Sequence, residues 1–264
     1  MSGSILGSIL APLVPTGARA TDAATPEIVR DFAPTGRLRA AINYGNVVLA
    51  QRDPSGALSG ISVDLANELG RRLGVAVEFV PFDTAGKVTA SAGGNVWDVG
   101  FLAVDPVRAN EIAFTAPYVV IEGTYAVRES SPLRTIEDFD RAGVRIAVGR
   151  GSAYDLYLTR ALGQATLVRA ETSEAAIRLF IADGLEAVAG VKQPILAFAR
   201  ENPGYRAIPG RFSSIEQAMG VPKGREAALV YLRGFVEEMK ASGFVAEALV
   251  RHRQPDAAVA PAAR

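Results

Sequence analysis

Short apolar runs alternate with segments of helical periodicity from residue 36 onward. Runs rich in Val, Ile and Ala predict strands, and apolar residues repeating every three or four positions predict helices. This alternation is typical of an α/β fold with mostly parallel strands. The first half of the pattern predicts strands at residues 38–43, 75–80, 98–103 and 119–128, and helices at residues 62–73, 84–92 and 105–112.

The helix at residues 62–73 carries clear end signals. Ser62 is the predicted N-cap, Leu65 and Leu69 share one face with Leu73, and Gly74 follows the last turn.

The alternation starts again after residue 128, which indicates a second α/β unit. Strands are predicted at residues 144–148, 166–168, 186–189 and 215–221, and helices at residues 152–162, 173–182, 193–200 and 225–242. In the last helix the apolar positions Leu229, Leu232, Val236 and Met239 recur at helical spacing. We interpret that face as core packing.

Composition and charge exclude several classes of function. The 264 residues include 28 basic and 28 acidic side chains, so no net charge attracts nucleic acid, and we expect none as a partner. There is no cysteine, which excludes disulfides, thiol nucleophiles and thiolate metal sites. The single histidine, His252, supports neither a Ser-His-Asp triad nor a multi-histidine metal centre in the core. No cofactor or metal is expected.

The two ends of the chain lack this patterning. Residues 1–35 include an apolar stretch at 5–14 followed by Ala18-Arg19-Ala20, which resembles a secretion signal, although no basic residue precedes the stretch. A degenerate signal and a disordered leader are equal interpretations. Residues 251–264 are rich in Ala and Pro, which predicts a disordered tail.

Four segments stand in an order that is typical of one family. They are residues 36–39 (GRLR), 60–75 (GISVDLANELGRRLGV), 98–118 (DVGFLAVDPVRANEIAFTAPY) and 144–158 (VRIAVGRGSAYDLYL). Together they resemble the bacterial extracellular solute-binding proteins of family 3, which serve polar amino acid ABC importers. The third segment resembles the most specific signature of that family, and the resemblance extends over residues 36–250.

The resemblance implies a two-lobed, periplasmic-binding-protein-like fold of type II, in which two hinge strands join α/β lobes around a ligand cleft. Lobe 1 would comprise residues 36–125 and 213–250, and lobe 2 residues 126–212. The implied protein is a periplasmic or otherwise extracytoplasmic monomer. It would bind a small carboxylate ligand by hinge closure and deliver it to an ABC permease in the membrane.

Two features are candidates for holding a carboxylate. Arg108 follows a predicted strand at the end where open α/β sheets place ligands, and its guanidinium can grip a carboxylate in a fork. By position alone a surface arginine is an equal interpretation, and the resemblance to the carboxylate-binding arginine of the family favours the ligand. Residues 149–152 (GRGS) form a glycine turn before a helix, so the N–H groups of Ser152 and Ala153 would face an anion. A plain strand-to-helix connection is the alternative.

Residues after the first strand are candidates for the wall of the cleft. Asn43 and Tyr44 occupy the place where the family has an aromatic residue against the ligand, and Phe82 is a second candidate wall.

The sequence departs from the family at the ligand ammonium. Ala103 replaces an expected hydroxyl residue, and Val191 and Lys192 stand where an Asp is expected. Because an unpaired ammonium beside a lysine is costly to bury, a carboxylate without an α-ammonium fits better, with a second acid group paired to Lys192. Glu122 or Asp105 would restore the amino acid interpretation if either faces the cleft.

Other functions remain open on the same fold. A cleft enzyme resembling cyclohexadienyl or arogenate dehydratase would use Glu122 as general acid. An ordinary hinge-strand carboxylate is the favoured interpretation of Glu122. A ligand-sensing module is the third alternative.

Overall fold

The computed structural model describes residues 24–263. The predicted secretion-signal features at residues 5–14 and 18–20 lie outside the described residues. Within residues 24–263, no helix combines the length and the apolar composition that crossing a membrane requires.

The first half of the described chain alternates strands and helices largely as the pattern predicts. The elements are α1 (Pro26–Phe32), β1 (Arg37–Asn43), β2 (Gln51–Arg52), β3 (Leu58–Ser59), α2 (Ile61–Leu73), β4 (Ala76–Phe82), α3 (Ala85–Ala90), β5 (Val99–Ala103) and β6 (Ile112–Arg128), with 3-10 helices at Ala92–Gly94 and Arg108–Asn110.

The second half repeats the alternation. Its elements are a 3-10 helix at Ile136–Phe139, β7 (Arg145–Gly149), α4 (Ala153–Ala161), β8 (Thr166–Ala170), α5 (Ser173–Ala182), β9 (Ala187–Val191), α6 (Lys192–Glu201), β10 (Tyr205–Ala207), β11 (Ser213–Pro222), α7 (Glu226–Ala241), α8 (Phe244–Arg251) and β12 (Ala258–Val259).

The main sheet contains two parallel units joined by antiparallel strands. Its order is β4-β1-β5-β11-β6-β9-β7-β8. Strand β1 runs parallel to β4 and β5, and β7 runs parallel to β8 and β9. The long strand β6 pairs with β11 and continues into pairing with β9, so β6 and β11 connect the two units. This arrangement is the predicted two-lobed α/β fold.

Separate apolar clusters lie on the two sides of this connection. We use lobe 1 for residues 36–125 and 213–250, and lobe 2 for residues 126–212. In lobe 1, Leu65 of α2 and Phe235 of α7 belong to one large buried cluster. In lobe 2, Ile146 and Phe180 belong to smaller clusters around β7 and β9. Side chains in each cluster pack mainly within one lobe. The strands β6 and β11 therefore form the connection between the lobes.

The start of α2 differs from the prediction. The N-cap is Gly60, whereas Ser62 lies inside the helix, where its hydroxyl is 3.3 Å from the hydroxyl of Tyr118. Gly60 has a φ of 123°, and a Cβ there would lie 2.4 Å from the carbonyl oxygen of Leu49. A close approach of two chain segments therefore selects glycine at this position.

The predicted helix at residues 105–112 is wrong in extent. Only Arg108–Asn110 form a 3-10 turn, and β6 begins at Ile112. The carboxylate of Asp105 accepts a hydrogen bond of 2.8 Å from the N–H of Val107, so a side chain closes the turn. Arg108 consequently projects from a tight turn between two strands.

Both ends of the described chain are more ordered than their composition predicts. Thr25 caps α1, and the ring of Phe32 packs edge-on to Tyr231 of α7 with 6.0 Å between ring centroids. The predicted disordered tail instead adds β12 to β6, with Val259 opposite Val119. Its small, alanine-rich sequence fits closely against the sheet, and Ala260 is 4% exposed.

Candidate functional site

A cavity of about 270 Å³ lies between the lobes. Both units of the sheet direct strand ends and first helical turns toward it, as open α/β sheets do. The lining includes Asn43, Ala103 and Arg108 from lobe 1 and Ala153, Val191 and Ile195 from lobe 2.

Arg108 is the most deeply buried cation of this lining, at 1% exposed. Its Nη1 donates to the carbonyl oxygen of Ala103 at 2.9 Å, and its Nη2 donates across the cleft to the carbonyl oxygen of Gly151 at 2.9 Å. Its Nε is buried and has no partner among residues 24–263. The guanidinium therefore contacts both lobes and leaves its Nε–H without a partner among the described residues.

The charge of Arg108 is uncompensated by direct contact. Burial lowers the pKa of Arg108 to about 10, and the charge of Asp105 opposes this shift in part. The guanidinium is thus still protonated at neutral pH. Among the described residues, no acid forms an ion pair with Arg108. The carboxylate of Asp105 pairs instead with Arg160, with 2.8 Å between Asp105 Oδ2 and Arg160 Nη2. Because buried arginines are normally paired with acids, this site is suited to an anion supplied from outside the chain.

The glycine turn before α4 supplies fewer donors than predicted. The N–H of Ser152 donates to the carbonyl oxygen of Gly149 at 3.1 Å, and the N–H of Gly151 donates to the carboxylate of Asp155 at 2.8 Å. Ser152 lines the cavity as predicted, but its N–H is already used within the turn, so its ligand role stays a prediction. The N–H of Ala153 forms no hydrogen bond within the described part of the chain, and Ala153 lines the cavity.

The predicted aromatic residues lie outside this cavity. Asn43 lines it, but neither Tyr44 nor Phe82 does. Tyr44 lies in the turn that follows β1, where its ring is under the guanidinium of Arg52, 5.4 Å from the ring centroid, and it borders a neighbouring cavity that shares Val47 and Glu174 with this one. The ring of Phe82 packs instead against the cluster that contains Trp97.

Lys192 and Glu122 pair with each other outside the cavity lining. The Lys192 Nζ lies 2.6 Å from one carboxylate oxygen of Glu122, and Arg211 lies 2.5 Å from the other. Residue 191, just before Lys192, pairs with Gly123 of β6, so the lysine side chain reaches back to the hinge strand. The expectation of a second ligand acid on Lys192 is therefore not met.

The ion pairs of Glu122 with Lys192 and Arg211 also argue against its role as the general acid of a dehydratase. Hydrogen bonds from Lys192 and then Arg211 hold the pKa of Glu122 below its ordinary value. A general acid must be protonated at neutral pH, which requires the opposite shift. Glu122 is therefore unsuited to that role.

The other candidate partners for a ligand ammonium are also unsuitable. Asp105 is engaged by Arg160 and by the N–H of Val107, and it does not line the cavity. Val191 does line the cavity, and it is apolar. The lobe 2 wall therefore carries no acid at the position where the family resemblance implies one.

Sequence reasoning missed several lining residues. Asn46, Asp83 and Gln217 contribute polar side chains from lobe 1. One carboxylate oxygen of Asp83 pairs with Lys87 at 2.7 Å, and the other is buried without a partner among the described residues. The signal that could have found Asp83 is its place a few residues after the strand predicted at 75–80, in a sheet whose strand ends line the cleft; in the structure β4 extends to Phe82 and Asp83 follows it directly.

Two α/β lobes with a cavity between them, and a buried cation without an acid partner in its wall, are typical of proteins that bind a small solute. The chain matches the bacterial extracellular solute-binding proteins, family 3, over residues 38–253, and it belongs to that family. The family predicted from the four sequence segments is confirmed.

Solved structures of similar fold agree with this assignment. Holo ArgBP from T. maritima is 25% identical with a TM-score of 0.69, and the match covers 80% of this chain and 93% of that one. The ancestral amino acid-binding protein AncCDT-1, a precursor of cyclohexadienyl dehydratase, is 20% identical with a TM-score of 0.72, covering 84% and 98%. A putative ABC transporter binding component from Wolinella succinogenes, complexed with lysine, is 18% identical with a TM-score of 0.72, covering 82% and 95%. Among curated protein sequences, none matches this chain.

Proposed function

We propose that this chain is the solute-binding protein of an ABC importer and that it holds a small carboxylate ligand between its lobes. The observation that carries the proposal is the buried guanidinium of Arg108, which lines the cavity with an unused donor and no acid in contact. A ligand carboxylate would supply the missing negative charge and accept the unused N–H.

The contacts across the cleft support binding by hinge closure. Arg108 belongs to lobe 1 and donates to Gly151 of lobe 2. The backbones also meet directly, since a Cβ on Gly151 would lie only 2.9 Å from the Cα of Gly86. With the lobes this close, the free N–H of Ala153 lies in the same cavity as the guanidinium. In our account the ligand first meets lobe 1, and the Ala153 N–H then stabilises the closed form.

The family and the similar structures support the transport role. Family members are extracellular solute-binding proteins. The Wolinella succinogenes structure is described as a putative ABC transporter component complexed with lysine, and one ArgBP structure is arginine-bound. Both ligands are carboxylates. We therefore propose a periplasmic location and delivery to a membrane permease by the monomer.

Ligand screening of the purified protein tests the proposal. Native mass spectrometry would reveal a retained small molecule, and a thermal-shift screen would compare amino acids, keto acids and dicarboxylates with the corresponding amides. We expect carboxylates to raise the melting temperature and the amides to have no effect. In the variant Arg108→Gln, affinity for the best carboxylate should fall about 100-fold or more.

A matched control separates binding from folding. Arg200 lies on α6 in an exposed pair with Glu201, and neither residue lines the cavity, so Arg200→Gln removes a charge without touching the site. Arg108→Lys, which keeps the charge and loses the fork, should retain part of the affinity. Carboxylate binding of wild-type strength in a folded Arg108→Gln variant would overturn the proposal.

A further inference from the structure

The cavity has a second set of unsatisfied polar atoms besides Arg108. One carboxylate oxygen of Asp83 and the side-chain oxygen of Asn46 are buried without a hydrogen-bond partner among residues 24–263, and both residues line the cavity from lobe 1. Buried acceptors in native proteins are nearly always satisfied, because leaving one without a partner destabilises the fold. Two such acceptors in the lobe 1 wall of one cavity therefore indicate a donor group on the ligand.

The sheet order places these acceptors away from Arg108. Asp83 directly follows β4, whereas the carbonyl that holds Arg108 belongs to Ala103 at the end of β5. Strand β1 lies between them, and Asn43 at its end is level with Phe82. Neighbouring strands are about 4.8 Å apart, so the two polar features are separated by roughly 10 Å along one wall. A ligand reaching both must carry polar groups at two separated positions.

The chemistry of the acceptors selects the kind of donor. The outer oxygen of Asp83 is held by Lys87, and an ionised carboxylate can only accept hydrogen bonds, so its inner oxygen needs an N–H or O–H. A hydroxyl offers one hydrogen, whereas a primary ammonium or a guanidinium offers several and also carries the complementary charge. Lys87 is 57% exposed, so its neutralisation of Asp83 is screened by solvent.

We infer that the ligand is a carboxylate with a remote nitrogen cation, an ammonium or guanidinium, and that Asp83 is the residue that selects it. This inference rests on the proposed function, because it assumes the carboxylate at Arg108. The lining also fits such a molecule in net charge. Among the described lining residues, Asp83 and Glu174 balance Arg108 and Arg150, as suits a zwitterion with separated charges.

Three simple probes separate the two ends of the ligand. Titration calorimetry would compare 6-aminohexanoate, which has both groups, with hexanoate, which lacks the cation, and hexylamine, which lacks the carboxylate. We expect wild type to bind 6-aminohexanoate about 10- to 100-fold more tightly than hexanoate, the effect of one hydrogen bond to a charged group.

Two variants locate that preference. Asp83→Asn should lower the affinity for 6-aminohexanoate to about that for hexanoate, because the charged partner of the ligand cation is lost. Lys87→Met removes the exposed partner of Asp83 and should preserve or enlarge the advantage, because the carboxylate is then free for the ligand. Both substitutions affect a half-exposed pair, so the fold should persist, which circular dichroism would check.

The outcomes distinguish the inference of a remote cation at Asp83 from the proposal of a carboxylate at Arg108. Equal binding of 6-aminohexanoate and hexanoate, or an Asp83→Asn variant that keeps the preference or loses hexanoate binding equally, would overturn the inference and leave the carboxylate proposal standing. Binding of hexylamine alone, with neither carboxylate probe recognised, would overturn the proposed function itself.

Discussion

The two walls of the cavity differ in which of their polar groups are already engaged. In lobe 1, Arg108, Asp83 and Asn46 each keep a buried polar atom without a partner among the described residues. The polar lining side chains of lobe 2 are engaged within that lobe, since Ser152 caps α4, Tyr154 donates to Ser173, and Arg150 and Glu174 form ion pairs with Glu171 and Arg178. The unused donor of lobe 2 is the backbone N–H of Ala153, beside Val191 and Ile195. Side chains can read the chemistry of a ligand, and a backbone donor beside apolar groups mainly recognises an anion and excludes water. The difference indicates that lobe 1 selects the ligand and lobe 2 closes over it.

Among the changes that test this difference between the lobes, the largest change in ligand affinity should come from giving lobe 2 a side chain that recognises a ligand ammonium. Val191 lies at the N-cap of α6 without a side-chain cap bond, so Val191→Asp places a carboxylate that both caps the helix and borders the cavity. We expect the affinity ratio of norleucine to hexanoate, measured by calorimetry, to rise about 10- to 100-fold, because the α-ammonium gains a charged partner.

Val191→Asn is the matched control, since it caps the helix without a charge. A ratio that rises equally in both variants would show that helix capping, rather than ammonium recognition, accounts for the change.

The second largest change in affinity should come from removing the backbone N–H of Ala153 in lobe 2. Ala153 is the first residue of α4, a position that tolerates proline, and Ser152 before it has the extended conformation that proline requires. Ala153→Pro deletes the N–H, and carboxylate affinity should fall about tenfold with little change in melting temperature.

Ala153→Gly retains the N–H and should retain the affinity. If proline and glycine weaken binding to the same extent, the N–H does not contact the ligand.

A smaller effect should come from the ion pair that crosses the cleft. Asp105 of lobe 1 and Arg160 of lobe 2 lie 2.8 Å apart at the rim, and Arg160 is 45% exposed. Asp105→Asn should lower ligand affinity about two- to threefold by weakening closure, and the loss should shrink at high salt. The control Glu186→Gln breaks a pair with Arg145 inside lobe 2 and should leave affinity unchanged.

The smallest expected effect is a pH-dependent change in melting temperature that comes from Glu122 on the hinge strand β6. The pKa of Glu122 is lowered by Lys192 and Arg211, so its contribution to stability is present above its ordinary value of 4.5 and is lost as the pH falls through the lowered pKa. Glu122→Gln should reduce the melting temperature by roughly 1–2 °C at neutral pH, and the two proteins should converge in acid. A gap that widens below pH 4 would show that the ion pairs do not stabilise the fold.

Most strands and helices, and the place of Arg108 beside the cleft, could be predicted from the sequence for physical reasons. Strand and helix periodicities are local, and the segment around Arg108 is specific enough to identify the family. The cap at Gly60 was missed because glycine is required there by the carbonyl of Leu49, a contact between segments that no local pattern reveals.

The candidate site was harder to predict than the fold because partners depend on strand order and register. Lys192 meets Glu122 only because β9 pairs with β6. Asp83 shares a cavity with Arg108 only because β4, β1 and β5 are neighbours. Of two residues adjacent in sequence, Asn43 lines the cavity whereas Tyr44 packs under Arg52, so position after a strand was insufficient to assign a role.

A crystal structure with a carboxylate ligand identified by the screen would test the central claim most directly. Our account predicts a closed form in which the ligand carboxylate lies within hydrogen-bonding distance of both the Arg108 guanidinium and the Ala153 N–H. A ligand seated in the cleft with its carboxylate turned away from that arginine, or one bound outside the cleft, would contradict the account.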